Sequence, residues 1–307
     1  MIVIILSKVN SKKLKVCMQE LNSVEEKMRR LEMAENYFKP FWMSVISAVF
    51  FIVYLLVLYV ILFAKCVEIV NSVSIFITIA TFYFLLGTPY VIECKFFHII
   101  SFIKNEFYKV NEALRQLSET EFYSPQKTKL SIMQLGLICT AKRNLDSERK
   151  LLDILQQIHL DLVKISRSVN DMFRIEILTS VGLSVIFLIF IYITVVFSIL
   201  KLKTSMLSLT IILSIYYLTK ILAINHICHT TSAEASMTEK VLFELSNIQA
   251  DEGCFNKIEQ FLFTVTNNRL QFTANGFFHL NHNCIQYIVG IMTPYIITTQ
   301  YVKINKG

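Results

Sequence analysis

Three stretches of this chain contain no charged residue, and each is long enough to cross a lipid bilayer as a helix. They cover residues 41–64, 69–92 and 177–200. A fourth stretch, 204–228, carries one charge, Lys220, and a fifth, 277–301, is more polar and contains Pro294. Seven glycines and four prolines provide too few turns for a membrane β-barrel, so the spans must be helices. We predict an all-α, polytopic membrane protein with five spanning helices.

The basic residues lie mainly on one side of these spans. Segments 1–40, 93–174 and 229–276 together hold 24 of the 30 Lys and Arg residues. Loops rich in Lys and Arg stay in the cytoplasm, which predicts a cytoplasmic N-terminus and an extracellular C-terminus. The net charge of +7 therefore reports topology, and we expect no nucleic-acid partner.

This topology divides the chain into alternating segments. We predict a cytoplasmic N-terminal helix at 1–40, two spans within 41–92, a cytoplasmic helical anchor at 93–176 and two spans within 177–228. A further cytoplasmic helical segment at 229–276 precedes the last span at 277–301 and an extracellular tail at 302–307. Membrane lipid surrounds such a protein.

Apolar residues in the cytoplasmic segments recur at spacings of three and four, which alternate strictly in two of the four series. That spacing predicts amphipathic helices that pack in a bundle and extend the neighbouring spans. The strongest series are Phe96, Ile100, Ile103, Phe107, Val110, Leu114 and Leu117, and Leu151, Leu155, Ile158, Leu162, Ile165, Val169 and Met172. Weaker series are Leu14, Met18, Leu21, Val24, Met28 and Leu31, and Met237, Val241, Leu245 and Ile248. These stripes either bury one another within one chain or form part of a subunit interface.

The sequence contains little catalytic chemistry. It has no Gly-rich phosphate loop, no nucleophile elbow and no paired intramembrane carboxylates, so we predict neither an enzyme nor a cofactor. His226, Cys228 and His229 cluster at the end of the fourth span, but no acidic residue or second cysteine pair completes a metal site. Polar and aromatic residues such as Tyr54 either line a small-molecule pocket or form an interfacial belt.

Lys220 is the one charge inside a predicted span. An intramembrane lysine is by default a candidate for a functional role, in a conduction pathway or in ligand binding. The alternative is structural, because Lys220 lies about two turns from the cytoplasmic end and its aliphatic stem could direct the ammonium towards that interface.

The last predicted span carries a mixed polar and apolar stripe. Thr293, Ile297 and Gln300 follow the spacing i, i+4, i+7 and so share one helical face. Pro294 removes the hydrogen-bond donor for the Gly290 carbonyl, which predicts a kink or break at this point. Such a face is typical of a water-filled path with a narrow apolar gate.

The same residues resemble a known signature. Residues 272–301, "FTANGFFHLNHNCIQYIVGIMTPYIITTQY", are similar to the C-terminal motif of insect gustatory receptors, which reads Thr-Tyr, five mostly hydrophobic residues, then Gln-Phe. Thr293 and Gln300 match this motif, whereas Pro294 and Tyr301 replace its two aromatic residues. The segment "HTTSAEASMTEKVLFEL" at 229–245 also resembles the family.

This resemblance implies a subunit of a ligand-gated, nonselective cation channel of the plasma membrane. It implies assembly as a homo- or hetero-tetramer and gating by a small-molecule tastant, such as a sugar, a bitter compound or carbon dioxide. Gln300 and Tyr301 would lie near the pore constriction, with Ile297 beside them, and Thr293 would support helix packing. The five spans would correspond to spans three to seven of seven, and residues 1–7 resemble the end of a preceding span, so we expect the first two spans to be missing.

Three alternatives remain open from the sequence. A G-protein-coupled-type receptor would place the C-terminus in the cytoplasm, opposite to the charge pattern. A transporter would be expected to show repeat symmetry and paired broken helices. The third alternative is an inactive, N-terminally truncated receptor fragment.

Overall fold

The computed structural model describes the backbone of residues 2–31, 72–123, 134–200, 207–248 and 251–305, with scattered positions between 46 and 60. Side chains are described over 13–31, 89–118, 147–196, 210–248 and 251–298, at Tyr301 and at the same scattered positions, which include Tyr54. The predicted first span, 41–64, therefore lies mostly outside the described residues.

The described chain is predominantly helical. Its elements in chain order are α1 (Ile2–Arg30), α2 (Ser72–Tyr123), α3 (Gln134–Leu200), α4 (Leu207–Ile248), α5 (Glu252–Asn267), β1 (Thr273–Ala274), β2 (Phe278–His279) and α6 (Asn283–Asn305). α2, α3 and α4 each join a predicted span to a predicted cytoplasmic series without a break. The structure therefore confirms the expected helical class.

Two helical segments within the described residues are long and apolar enough to cross a membrane. They are Ser147–Val196 in α3 and Thr210–Ile248 in α4, judged by length and composition. These segments contain most of the third and fourth predicted spans, residues 177–196 and 210–228. The other three predicted spans stay predictions.

The chain divides into two compact units. Unit 1 comprises Met1–Glu35, Ile100–Met172 and Thr230–Phe272, and unit 2 comprises Asn36–Ile99, Phe173–His229 and Thr273–Gly307.

The two strong apolar series form the core of unit 1, as predicted. Each fully buried Leu, Ile or Phe side chain contributes about 1.5–3 kcal/mol relative to exposure, so this core is the main stabilising element of the unit. The members in unit 1 that are at most 1% exposed are Ile100, Ile103, Phe107, Val110 and Leu114 of α2, and Leu155, Ile158, Leu162, Ile165 and Val169 of α3, while Phe96, also 1% exposed, belongs to unit 2.

The two weaker series are only partly correct. Met18 and Ile248 are each 41% exposed, and Cys17 is buried in α1 where the series named Met18. The buried face of α4 in unit 1 consists of Thr231, Ala235, Thr238, Val241, Leu242 and Leu245, so it includes two members of the predicted series, Val241 and Leu245. An apolar pattern could not identify the two threonines, because they are polar.

A hydrogen-bond network accounts for one of these buried threonines. The Thr238 hydroxyl donates to Asn111 Oδ1 at 2.7 Å. The Asn111 amide in turn donates to the backbone carbonyl of Glu234 at 2.9 Å and to Glu234 Oε1 at 2.8 Å. Because buried polar groups are costly unless hydrogen-bonded, this network fixes α4 against α2 at one register.

His159 occupies the centre of unit 1 and is 1% exposed. Its ring packs edge-on against Phe107 and Phe261, with ring centroids 5.2 and 5.9 Å away, and its Nε2 lies 3.4 Å from the Ala235 carbonyl oxygen. Burial lowers the pKa of His159 to about 4, so the imidazole is neutral at physiological pH. One side chain thereby joins α2, α3, α4 and α5.

The start of α5 is fixed by a cap. Asp251 Oδ2 accepts hydrogen bonds from the Cys254 backbone N–H and from Arg149 Nη2, both at 2.8 Å. The hydrogen bond from Arg149 holds the pKa of Asp251 below its usual value. Gly253 lies under the guanidinium, and a Cβ at this position would clash with Arg149 Nη2.

A short hairpin precedes the last helix and corrects its predicted start. β1 and β2 pair antiparallel, and the turn between them places Asn275 and Gly276 at φ 51° and 78°, a conformation that Asn-Gly favours. Asn281 Oδ1 then accepts from the Asn283 backbone N–H at 3.0 Å, and α6 begins there. The last helix was predicted to start at residue 277, whereas α6 begins six residues later, because residues 275–277 form the turn and residues 278–279 are paired in β2.

Candidate functional site

The last helix, α6, packs on its own unit through a narrow stripe. Within its described side chains, Cys284 and Ile288 are buried, at 1% and 8% exposed. Successive residues of a helix are about 100° apart, so Thr293 and Ile297 lie on the opposite side. Ile297 is 62% exposed and Thr293 is also exposed. The predicted pore-lining side is thus uncovered by its own unit, but so are other sides of this helix, where Tyr287, Val289, Ile291 and Tyr295 are also exposed.

The polar groups on this part of α6 are satisfied within the helix. The Thr293 hydroxyl donates to the Val289 carbonyl at 2.8 Å, and the Thr298 hydroxyl donates to the Pro294 carbonyl at 2.8 Å. A threonine that bonds back to the preceding turn can lie against an apolar or an aqueous environment without an unpaired donor.

α6 continues through Pro294 as one helix, so the chain does not break there. The bend predicted at Gly290 and Pro294 stays a prediction. A Cβ built on Gly290 meets nothing within 4 Å, which places this glycine on an open face.

Of the two signature residues at the end of α6, the structure describes the side chain of Tyr301 but not that of Gln300. The Tyr301 side chain is 66% exposed. The Gln300 side chain lies outside the described residues, and its backbone continues the helix seven residues after Thr293. Helical geometry places position 300 on the same side of α6 as Thr293, about two turns further on.

The ammonium of Lys220 forms a buried ion pair in unit 2 and does not simply extend towards the membrane interface. Its Nζ lies 2.8 Å from Glu93 Oε1, and the Lys220 and Glu93 side chains are 10% and 9% exposed. The Ser180 hydroxyl donates to the same oxygen of Glu93. The pair thus connects α2, α3 and α4, as expected for a charge inside a largely apolar helical unit.

Aromatic rings surround this ion pair. Lys220 Nζ lies 6.0 Å from the Tyr217 ring centroid, and Tyr217 stacks on Phe187 with centroids 5.2 Å apart. Tyr216 stacks on Tyr54 at 4.9 Å. The hydroxyls of Tyr54 and Tyr216 are buried and have no hydrogen-bond partner within the described residues.

A third histidine lies beside the two histidines at the end of the fourth predicted span. His282, two residues before Cys284, lies 4.0 Å from His229 and 6.2 Å from His226, measured between ring centroids. In the part of the chain that the structure describes, no group of three or more His, Cys, Asp or Glu residues could hold a metal ion. His226 and His229 therefore share a contact with His282 without forming a metal site.

Sequence reasoning missed Glu93 and His282. Glu93 lies at the first position after the second predicted span and was assigned to the cytoplasmic segment. An intramembrane lysine requires a partner at similar depth, and the sequence offers three acidic residues directly next to span ends, Glu68, Glu93 and Glu176, without distinguishing between them. His282 had no comparable signal, because its neighbours depend on how the hairpin folds.

Comparison with known proteins identifies the class. The model of the 7tm chemosensory receptor family matches residues 1–300. The chain therefore belongs to the 7tm chemosensory receptor family, in agreement with the resemblance to insect gustatory receptors. No curated protein matches the chain. The protein is thus a chemosensory receptor of the membrane, and the family indicates a receptor function instead of an enzymatic one.

Proposed function

We propose that this receptor is a gustatory, ligand-gated, nonselective cation channel subunit of the plasma membrane. It detects a small-molecule tastant and assembles as a homo- or hetero-tetramer. Its N-terminus lies in the cytoplasm and its C-terminus outside, as the distribution of Lys and Arg favours.

The mixed polar and apolar stripe of α6 carries this proposal. Thr293 and Ile297 are both exposed and share one side of the helix, and a polar side chain on that side would have no use in contact with lipid alone. Copies of this helix around a shared axis would line a path with threonine and glutamine, narrowed by Ile297 and Tyr301. In this arrangement Gln300 and Tyr301 lie at the constriction.

The alternatives predict different measurements. A G-protein-coupled-type receptor has a cytoplasmic C-terminus, so a C-terminal tag would be stained by antibody only after the cells are permeabilised. A transporter would take up substrate without any ligand-gated current. An inactive fragment would fail to reach the cell surface.

The decisive experiment tests permeation through α6. The receptor is expressed in cells and challenged with a sugar, a bitter alkaloid and dissolved carbon dioxide, and the relative permeability to sodium, potassium and calcium is measured. We expect Gln300→Ala, Tyr301→Ala and Ile297→Ala to change the permeability ratio or the conductance, because these side chains would border the ion path.

The matched control is Ile291→Ala. Ile291 is the same residue type on the same helix and is 54% exposed, but it lies about 120° around the helix from Ile297. We expect this variant to conduct like the wild type. Unchanged permeation in all three pore variants, with currents of normal size, would contradict the proposal.

A further inference from the structure

Three imidazoles meet where α6 begins. His226 and His229 are three residues apart on α4, and His282 immediately precedes the first residue of α6. The His229 and His282 rings are 4.0 Å apart and tilted by 44°, and the His226 and His282 rings are 6.2 Å apart. This histidine cluster lies entirely within unit 2.

Within the described residues, no carboxylate acts electrostatically on His229. The side chains that do are His282 and His226, and each is charged only when its ring carries a second proton. The neighbouring titratable groups are the thiols of Cys228 on α4 and Cys284 on α6, and Cys284 is hydrogen-bonded to the Asn225 side chain. Thiols are neutral at physiological pH, so they cannot balance a second imidazolium.

We propose that the histidine cluster is a proton-responsive contact that releases the first turns of α6 from α4 when the surrounding pH falls. Imidazole is the side chain whose ordinary pKa lies between pH 5 and 8. One proton on the cluster is tolerated, whereas two would place like charges on rings in contact. The contact between His229 and His282 is therefore favoured when the cluster is neutral or singly protonated.

The direction of the effect follows from His229. This residue lies just beyond the fourth predicted span, and its pKa is lowered by burial and then by the charges of His282 and His226. A lowered pKa means that the assembled contact binds protons less readily than the separated one. The contact is therefore complete at neutral pH and weakens as the pH falls below the ordinary value for histidine.

The consequence for α6 is mechanical. Asn281 and Asn283 fix the start of α6 directly beside His282, so a displacement of His282 moves the cap of the helix. The release of α6 does not require conduction. Only the effect of this release on current rests on the proposed function, in which α6 lines the pore.

The test is amide hydrogen exchange of the purified full chain in lipid nanodiscs, read by mass spectrometry over residues 283–290. After correction for the intrinsic rate, we expect exchange to be about tenfold faster at about pH 5 than at about pH 8. The double variant His229→Gln/His282→Gln should lose this pH dependence, because no like charges can form. Wild-type exchange that does not change with pH would overturn the proposal.

The matched control is His279→Gln, which removes an exposed histidine three residues away on β2. This variant should respond to pH like the wild type, and a loss of response there would also contradict the assignment. If the double variant does not fold, the single variant His282→Gln decides, because it removes the 4.0 Å pair alone. If amide exchange changes with pH but the current does not, the proposal for the histidine cluster stands, and the result counts against the pore role of α6.

Discussion

Lys220 and Glu93 remain inside unit 2 because each neutralises the other. The ammonium and the carboxylate are 2.8 Å apart, and Ser180 donates a further hydrogen bond to the same carboxylate oxygen. Removal of one partner from a buried ion pair leaves an uncompensated charge, whereas removal of both leaves only the loss of packing. The pair therefore specifies how three helices meet more than it adds net stability.

This asymmetry gives a prediction for single and double variants. Lys220→Met or Glu93→Gln alone should destabilise the protein by about 3 to 5 kcal/mol, and the double variant should be less harmful than the sum. Denaturation in mixed micelles measures the free energy of unfolding of each variant. The surface expression of the variants in cells should follow the same order. Lys240→Met is the control, since Lys240 is exposed on the same helix and should cost at most about 0.5 kcal/mol. Additive losses would show that the two charges are not coupled.

Lys220 could be selected from the sequence, but its partner could not. A charged residue within an apolar run can be recognised from the sequence alone, whereas the contact with Glu93 joins residues that are 127 positions apart. Ser180 was invisible for the same reason, because a serine in a span usually bonds back to its own helix. The same limit applies to His282, whose position depends on the Asn275-Gly276 turn.

For each helix, how well its buried face can be predicted from the sequence depends on which side chains are buried. α2 and α3 were predicted well because their buried faces consist of apolar residues at regular spacing. The buried face of α4 in unit 1 was predicted only in part, because it contains Val241 and Leu245 of the series but also Thr231 and Thr238, and Ile248 lies outside it. The start of α6 was displaced because a strand pair of two residues on each side has almost no sequence signal beyond Asn-Gly.

Gly290 and Pro294 together give α6 a point where bending is easy. Pro294 cannot donate to the Gly290 carbonyl, and Gly290 has open space where a Cβ would lie. A helical glycine next to a missing hydrogen bond is a common place for a kink. We expect the opening of the receptor to use this flexibility.

Gly290→Ala tests that expectation. The substitution should stabilise α6 by about 1 kcal/mol, because alanine is the better helix former and its Cβ meets no clash. The current evoked by the effective tastant should fall, because the helix becomes stiffer. Gly182→Ala in α3 is the matched control, since a Cβ there also meets nothing within 4 Å. Equal effects of both variants on current would show that α6 does not bend at this point.

At the scale of the whole molecule, unit 1 depends on a neutral histidine at its centre. His159 contacts Phe107, Phe261 and the Ala235 carbonyl, which belong to three different helices. Its Nδ1 is buried and has no partner within the described residues. A second proton on this ring would place a charge in the apolar core, and the surrounding groups could not satisfy it.

Unit 1 should therefore be acid-labile through His159. The folded-state pKa of about 4 lies below the ordinary value of 6.5, so the unfolded chain binds the proton more readily. The stabilisation is complete above about pH 6.5 and is lost as the pH falls towards about 4, to a total of about 3 kcal/mol. Denaturation midpoints measured across this range should fall more steeply for the wild type than for His159→Gln, which keeps a donor for the Ala235 carbonyl without titrating. His279→Gln, an exposed control, should follow the wild type, and equal slopes in the wild type and His159→Gln would assign the acid sensitivity to the carboxylates of the unit instead.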